Sequence, residues 1–381
     1  MRIGAWVHDF DTPDLDEHFA AVAAAGLRSV RGYSVDYSEK VAPAVKRHGL
    51  SLVAGLSVDS EALLADWRSQ VKLDELERTI NLDCPIEAIC VGNELREGGD
   101  AWESKRFSAR LSFALARVLD EYRAWLEDRG YPVATVSSAG DPAGRSARAE
   151  VEPAAISSAG DPADRSDGSE VEPAGVVSGG SGDRCVRLTY AMEGIVFDSD
   201  GRFKDHLWPL IDRLDIVSIN LYPMTEAHWR DFGAFEVSAS FLLERKTWRR
   251  EISKYEAHLR STMDVLAGCG KPVMLSEMGF PSGIGYRIDG TIDGNDRVWP
   301  VSDNDAFAER MHEYVELLSA VSRDYDDLLE AVYFYEWRDN HHHRKIWNIE
   351  KSPIHTCFGL CDHEGTPKLD ISALVRSAET A

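Results

Sequence analysis

The chain has 381 residues, 44% of them apolar, enough for one large domain with a sizeable core. Its net charge is −23, from 65 acidic residues against 11 lysines and 31 arginines, which argues against nucleic acid or an anionic membrane as partner. No run of 18 apolar residues occurs, and the opening MRIGAWVHDFD has no basic and apolar leader, so a cytoplasmic protein without a membrane span is expected.

Taken in order, apolar runs alternate with helical stretches. Residues 2–8 (RIGAWVH) predict a first strand, and Thr12 with Pro13 predicts the start of a helix carrying Phe19, Val22 and Ala23 on one stripe. Residues 27–33 and 50–56 predict strands two and three, with a helix through Val41, Ala44 and Val45 between them. Helical residues 60–80 lead to a fourth strand at 86–94, which ends in Gly92-Asn93-Glu94, and a long helix follows over 102–128.

There the alternation breaks. Residues 137–156 (SSAGDPAGRSARAEVEPAAI) and 157–176 (SSAGDPADRSDGSEVEPAGV) are one 20-residue unit in tandem, followed by a Gly/Ser run. Such a stretch cannot bury enough surface to offset its ordering entropy. Residues 133–184 are therefore expected to be a disordered insertion within a single domain spanning 1–381.

Strand five is expected at 185–191, with Pro132–Val136 as a second strand-like run, and strand six at 215–222, ending in Tyr222-Pro223. A helix is predicted over 203–214 and a long one over 238–266. Strand seven lies within Lys271–Gly283 (KPVMLSEMGFPSG), where Pro272–Leu275 run into Ser276-Glu277 and then a Gly/Pro break. Residues 282–303 read as a Gly/Asp-rich loop, 305–325 as a helix, 330–337 (EAVYFYEW) as strand eight and 370–379 as the last helix. Eight strands alternating with helices predict a (β/α)8 barrel of the α/β class.

In such a barrel, chemistry sits where strands empty into loops at their C-terminal ends. Glu94 and Glu277 occupy two such places. Breaking an acetal needs a proton for the departing oxygen and a stabiliser for the positive charge left on the sugar, and two carboxyl groups in different environments supply both. His8 and Tyr33 also stand at strand ends but are given no role here.

Four elements in order, Gly92-Asn93-Glu94, Tyr222-Pro223, Leu275-Ser-Glu277-Met-Gly-Phe-Pro-Ser282 and Trp337, resemble the clan A retaining glycoside hydrolases, and most of all the family 17, β-1,3-glucanase-like type. The tail Phe358–Lys368 (FGLCDHEGTPK) is similar to the segment that closes many of these barrels. The resemblance implies Glu94 as acid/base, Glu277 as nucleophile, Asn93 on the sugar 2-hydroxyl, Tyr222 orienting the nucleophile, Trp337 as aromatic floor and Arg31 supporting the nucleophile. It implies a β-linked oligosaccharide or polysaccharide as substrate, by hydrolysis or transglycosylation, and no cofactor. Met278 and Phe280 depart from the family's usual residues after the nucleophile, which weakens the implied linkage more than the mechanism.

The acidic surface suits a neutral substrate and a salt-rich cytoplasm, where ions screen self-repulsion, so a halophilic source is expected. The six cysteines read as reduced thiols. His341–His343 and the run from His355 to His363 have some ligand character, but the first reads as a polar loop and the second as packing, so no metal site is expected.

Overall fold

The computed structural model describes residues 1–8, 15–97, 107–132, 185–194, 196–198, 201–223, 241–292, 295–339 and 357–380. The insertion at 133–184 with its tandem repeat, the triple histidine at 341–343, and Thr12, Pro13 and His355 lie outside these residues.

Eight parallel strands close on themselves. They are β1 (Arg2–Trp6), β2 (Ser29–Arg31), β3 (Ser51–Leu56), β4 (Ile86–Asn93), β5 (Leu188–Glu193), β6 (Val217–Asn220), β7 (Val273–Met278) and β10 (Leu329–Phe334). The order around the barrel is β1-β10-β7-β6-β5-β4-β3-β2. Helices cover the outside: α1 (Leu15–Ala24), α2 (Val35–Arg47), α3 (Ser60–Ala65), α4 (Leu73–Ile80), α5 (Ala109–Asp128), α6 (Trp208–Ile211), α7 (Arg245–Ala267), α8 (Asn304–Asp324) and α9 (Ile371–Thr380). The expected (β/α)8 barrel is thus the fold, with its fifth strand starting three residues into the predicted 185–191 run.

One expectation needs correction. The stretch read as a loop at 282–303 contains two antiparallel strands, β8 (Gly283–Ile292) and β9 (Asn295–Ser302), which form a separate ribbon after β7. Its Gly and Asp content hid an alternation of Ile284, Tyr286 and Ile288, and an Asp293-Gly294 pair between the two runs, which together are a hairpin signal.

Strand alternation sorts the side chains into two layers. Ile3, Ala5, Val30, Leu52, Ala54, Ile89, Val91, Leu275 and Val332 face outward into one continuous apolar cluster with the helices. Trp6, Val53, Ala88, Cys90, Ala191, Ile216, Met274, Ala331 and Tyr333 fill the interior. Gly4 shows how tightly: a Cβ there would stand 2.5 Å from the Tyr333 ring and 2.6 Å from the Ser29 carbonyl oxygen.

The N-terminal end of the barrel is shut by charge pairs. Arg2 meets both Glu87 (2.9 Å) and Glu330, and Arg187 meets Glu330 (3.0 Å). Ser51 donates to Glu87 at 3.0 Å. At the opposite end, the closing segment folds in after β10. Lys368 donates to Asp339 (2.6 Å) and Ser282 (2.8 Å), and Gly359 N–H donates to Asp339 (2.9 Å). This carries Phe358 into the interior cluster beside Tyr222 and Tyr335.

Candidate active site

A parallel strand presents every second side chain inward, so two consecutive residues cannot both reach the barrel mouth unless the ladder is broken. It is broken twice. Along β7, Leu275 pairs with Ile219 and Val332, yet Glu277 pairs with the next residue Asn220, and Met278 with Phe334 only two residues on. Both neighbours therefore record one extra residue in β7, a bulge. Ser276 and Glu277 consequently both serve the interior side, and Met278 is returned to the outer apolar layer. Along β4, Cys90 pairs with Thr189 but Asn93 with Ala191, again one residue too many. Gly92 at φ +83° takes up this bulge, a conformation open to glycine, and Glu94 follows at φ +43°. Holding a glutamate in the left-handed region costs about 1 kcal/mol or more, a cost typical of functional sites.

These bulges bring five of the six predicted residues together. Arg31, only 1% exposed, is the hub. Its Nη2 donates to Asn93 Oδ1 (2.9 Å), and its Nη1 donates to the Ser276 carbonyl (2.5 Å) and lies 3.7 Å from Glu277 Oε1. The guanidinium also sits 4.3 Å over the Trp6 ring, a cation–π contact inside the barrel. Tyr222 donates to Glu277 Oε2 at 2.8 Å. Asn93 Oδ1 accepts a second bond from Asn220 Nδ2 (3.2 Å), so its own amide nitrogen is the group turned away from these donors. Asn220 Nδ2 also donates to Glu94 Oε1 (3.2 Å), linking the acid/base candidate to the rest.

Trp337 does not join them. It is 3% exposed and belongs to the outer apolar cluster. The regular alternation ends with β10 at Phe334. Beyond it, the Trp337 backbone is pinned, its N–H donating to the Trp6 carbonyl (2.8 Å) and its carbonyl accepting from Cys361 (2.9 Å). The aromatic wall is built instead from Trp6, His8, Tyr33 and Tyr335. Tyr33 packs on Trp6 with centroids 3.6 Å apart and donates to Glu277 Oε1 at 3.3 Å. His8 stacks on both Trp6 and Tyr33 at 5.8 Å and stands 3.3 Å from the buried Glu336. The strand-end positions of His8 and Tyr33 were visible in the sequence; their convergence was not.

The electrostatics of Glu277 are a contest. Burial pushes its carboxyl up, opposed by the Arg31 charge. The nearby Glu94 charge also raises it, while hydrogen bonds from Tyr222 and Tyr33 lower it. Burial prevails, and the carboxyl is pushed up to about 7. Tyr222 is driven well above the ordinary tyrosine value by burial and by Glu277, so it remains a proton donor to that carboxylate.

Among the described residues, no group of three His, Cys, Asp or Glu side chains is arranged to hold a metal. Cys357 and Cys361 are buried thiols, each pushed up to about 12 by burial. Nor, among those residues, is any helix long and apolar enough to cross a membrane.

No protein-family model matches the sequence, and no curated protein matches it. The fold does have solved counterparts. An endo-laminarinase from Formosa Hel1_33_131 aligns over 96% of this chain and 84% of its own, with a TM-score of 0.56 at 14% identity. CJP38, a β-1,3-glucanase and allergen of Cryptomeria japonica pollen, aligns over 97% of this chain and 98% of its own, with a TM-score of 0.51 at 11% identity. Exo-β-1,4-mannosidase Op5Man5 from Opitutaceae bacterium strain TAV5 covers all of this chain over 59% of its own length, with a TM-score of 0.53 at 13% identity. At such identities the likeness is one of fold, and the barrels that share it here are glycoside hydrolases.

Proposed function

We propose that this protein is a retaining β-glycoside hydrolase, acting on a β-linked oligosaccharide or polysaccharide through two glutamates. The observation that carries the reading is the environment of Glu277. It is a buried carboxylate at the end of β7, held at both oxygens by Tyr222 and Tyr33, flanked by Arg31, and close enough to Glu94 for their charges to interact.

In the first step a Glu277 oxygen attacks the anomeric carbon and the bond to the leaving oxygen breaks. Glu94 gives that oxygen its proton. In the second step Glu94 takes a proton from water as the water oxygen attacks the same carbon, and Glu277 leaves as a carboxylate. An acceptor hydroxyl in place of water gives transglycosylation. Arg31 and Tyr222 hold Glu277 in line and favour its ionised form. Asn93, its oxygen engaged twice, offers its amide nitrogen to a hydroxyl of the bound sugar. The β-1,3-glucanase-like type of the family 17 enzymes remains part of this proposal, as does a neutral sugar substrate. Trp6, Tyr33 and Tyr335 take the place in it that the resemblance gives to Trp337.

The test is intact-protein mass after incubation with 2-deoxy-2-fluoro-β-glucosyl fluoride and its mannosyl, xylosyl and galactosyl counterparts. A single glycosyl adduct on the wild type, absent from Glu277→Gln, is the expected result. Absence of an adduct with every sugar, together with measurable oligosaccharide binding, would make the protein a non-catalytic carbohydrate-binding barrel.

A further inference from the structure

One cation near the site has no part in the reaction just described. Arg96 follows Glu94 by two residues on the loop after β4, and its side chain is only 12% exposed. Its Nη2 lies 3.1 Å from Glu193 Oε1, at the end of β5, and 3.4 Å from Glu94 Oε2. Backbone contacts fix the loop that carries it: Arg96 N–H donates to Ser60 Oγ (3.2 Å) and Leu95 N–H to the Tyr190 hydroxyl (2.8 Å). The two oxygens of Glu94 are thus held by unlike donors. Oε1 takes the neutral amide of Asn220, and Oε2 faces a guanidinium shared with a third carboxylate.

We infer that Arg96 is a positioning residue whose single charge is divided between Glu94 and Glu193, and that Glu193 thereby governs how strongly the ionised form of Glu94 is favoured. The inference rests on the glycosidase reading, because only there must Glu94 alternate between acid and base. With Glu94 protonated, Arg96 remains paired with Glu193. Once Glu94 has given its proton to the departing oxygen, two carboxylates compete for one guanidinium. Arg96 then stabilises the new charge without binding it so fully that the proton cannot return. A carboxylate paired one-to-one with an arginine would stay ionised and be a poor acid.

Titratable and charged groups around Glu94 include Arg96 on its own loop, which also meets Glu193 at the end of β5, together with Tyr190 from β5, Tyr222 after β6, Glu277 from β7 and Tyr33 after β2. Arg96 and its partner Glu193 set the charge that faces Oε2.

The experiment is the pH profile of kcat/KM on an aryl β-glycoside, for wild type, Glu193→Gln, Arg96→Gln and Arg96→Lys. The alkaline limb reports the group that must be protonated. Glu193→Gln removes the carboxylate that competes with Glu94 for Arg96, so the limb is expected to move down by roughly 1 pH unit. Arg96→Gln removes the cation, so the limb is expected to move up by roughly 1 unit, and Arg96→Lys to stay within half that of the wild type. Partial unfolding lowers a profile without moving its limbs, so a merely structural role predicts no shift. Limbs that stay still, or move the same way in Glu193→Gln and Arg96→Gln, overturn the inference while leaving the glycosidase standing. A wild type that hydrolyses no aryl β-glycoside overturns both.

Discussion

The two ends of this barrel handle their carboxylates in opposite ways. At the N-terminal end, Glu87 and Glu330 meet Arg2 and Arg187, two charges of each sign. In the candidate site at the C-terminal end, three carboxylates, Glu94, Glu193 and Glu277, lean on the guanidinium groups of Arg31 and Arg96. The first arrangement neutralises charge and closes a fold. The second leaves negative charge in surplus and burial uncompensated, which costs stability but makes protonation states adjustable near neutral pH. Carboxylate content does not separate the ends; the ratio of partners to carboxylates does.

The comparison is broken most sharply by paired substitutions. Glu277→Gln is expected to lower kcat/KM on an aryl β-glycoside by on the order of 10⁴-fold or more, as loss of a covalent nucleophile does. Glu330→Gln, at the far end, should leave kcat/KM within about twofold. Equal losses would mean that the upper cluster has no special role.

A second contrast lies in the pH dependence of stability. Glu277 titrates near 7 in the fold against an ordinary glutamate value in the unfolded chain, so the fold favours its protonated form. The wild type should lose stability relative to Glu277→Gln as pH rises from about 4.5 through 7. By pH 8 the variant should be the more stable by roughly 1–3 kcal/mol in urea melts. The same titration places the acid limb of wild-type kcat/KM near pH 7. A variant with no greater advantage over the wild type at pH 8 than at pH 5 would show that Arg31 and the tyrosines outweigh burial.

The smallest effect belongs to the N-terminal pairs. Arg187 and Glu330 are each about a quarter exposed, and Glu330→Gln is expected to cost about 1 kcal/mol or less. That cost should shrink in 2 M KCl, while the protein as a whole, at net charge −23, should melt at a higher temperature there.

Much of this was legible in the sequence, and for a definite reason. Apolar runs of strand length ending in a polar pair mark both the barrel strands and their C-terminal ends, so Glu94 and Glu277 stood out, while Asn93, Tyr222 and Arg31 entered only through the family resemblance. What a run of letters does not carry is which face a strand-end residue takes once the ladder slips. Period-two counting would turn Glu277 outward beside Leu275 and would turn Trp337 inward beside Tyr335. The bulge in β7 and the end of β10 reverse both. Asn220 and Ser276, small polar residues inside apolar strands, carry no separate signal, yet the hydrogen bond from Ser276 to Asn220 (2.6 Å) orients the amide that joins Asn93 to Glu94. Glu193 likewise becomes meaningful only when β5 lies beside β4.

The bulges also determine which kinds of genetic change this site can tolerate. Substitution alters what a position carries but not the direction in which it points. Loss of a single codon between Cys90 and Asn93, or between Leu275 and Glu277, would take out the extra residue and restore the regular ladder, whereas gain of one in a regular part of either strand would shift the phase of everything after it. Removing Ser276 would leave Glu277 opposite Asn220 and still facing inward, but would take away the hydroxyl that donates to Asn220 and orients its amide. Homologues that drift freely in residue identity can therefore keep this chemistry only if any change in the length of these two strands leaves both carboxylates in phase.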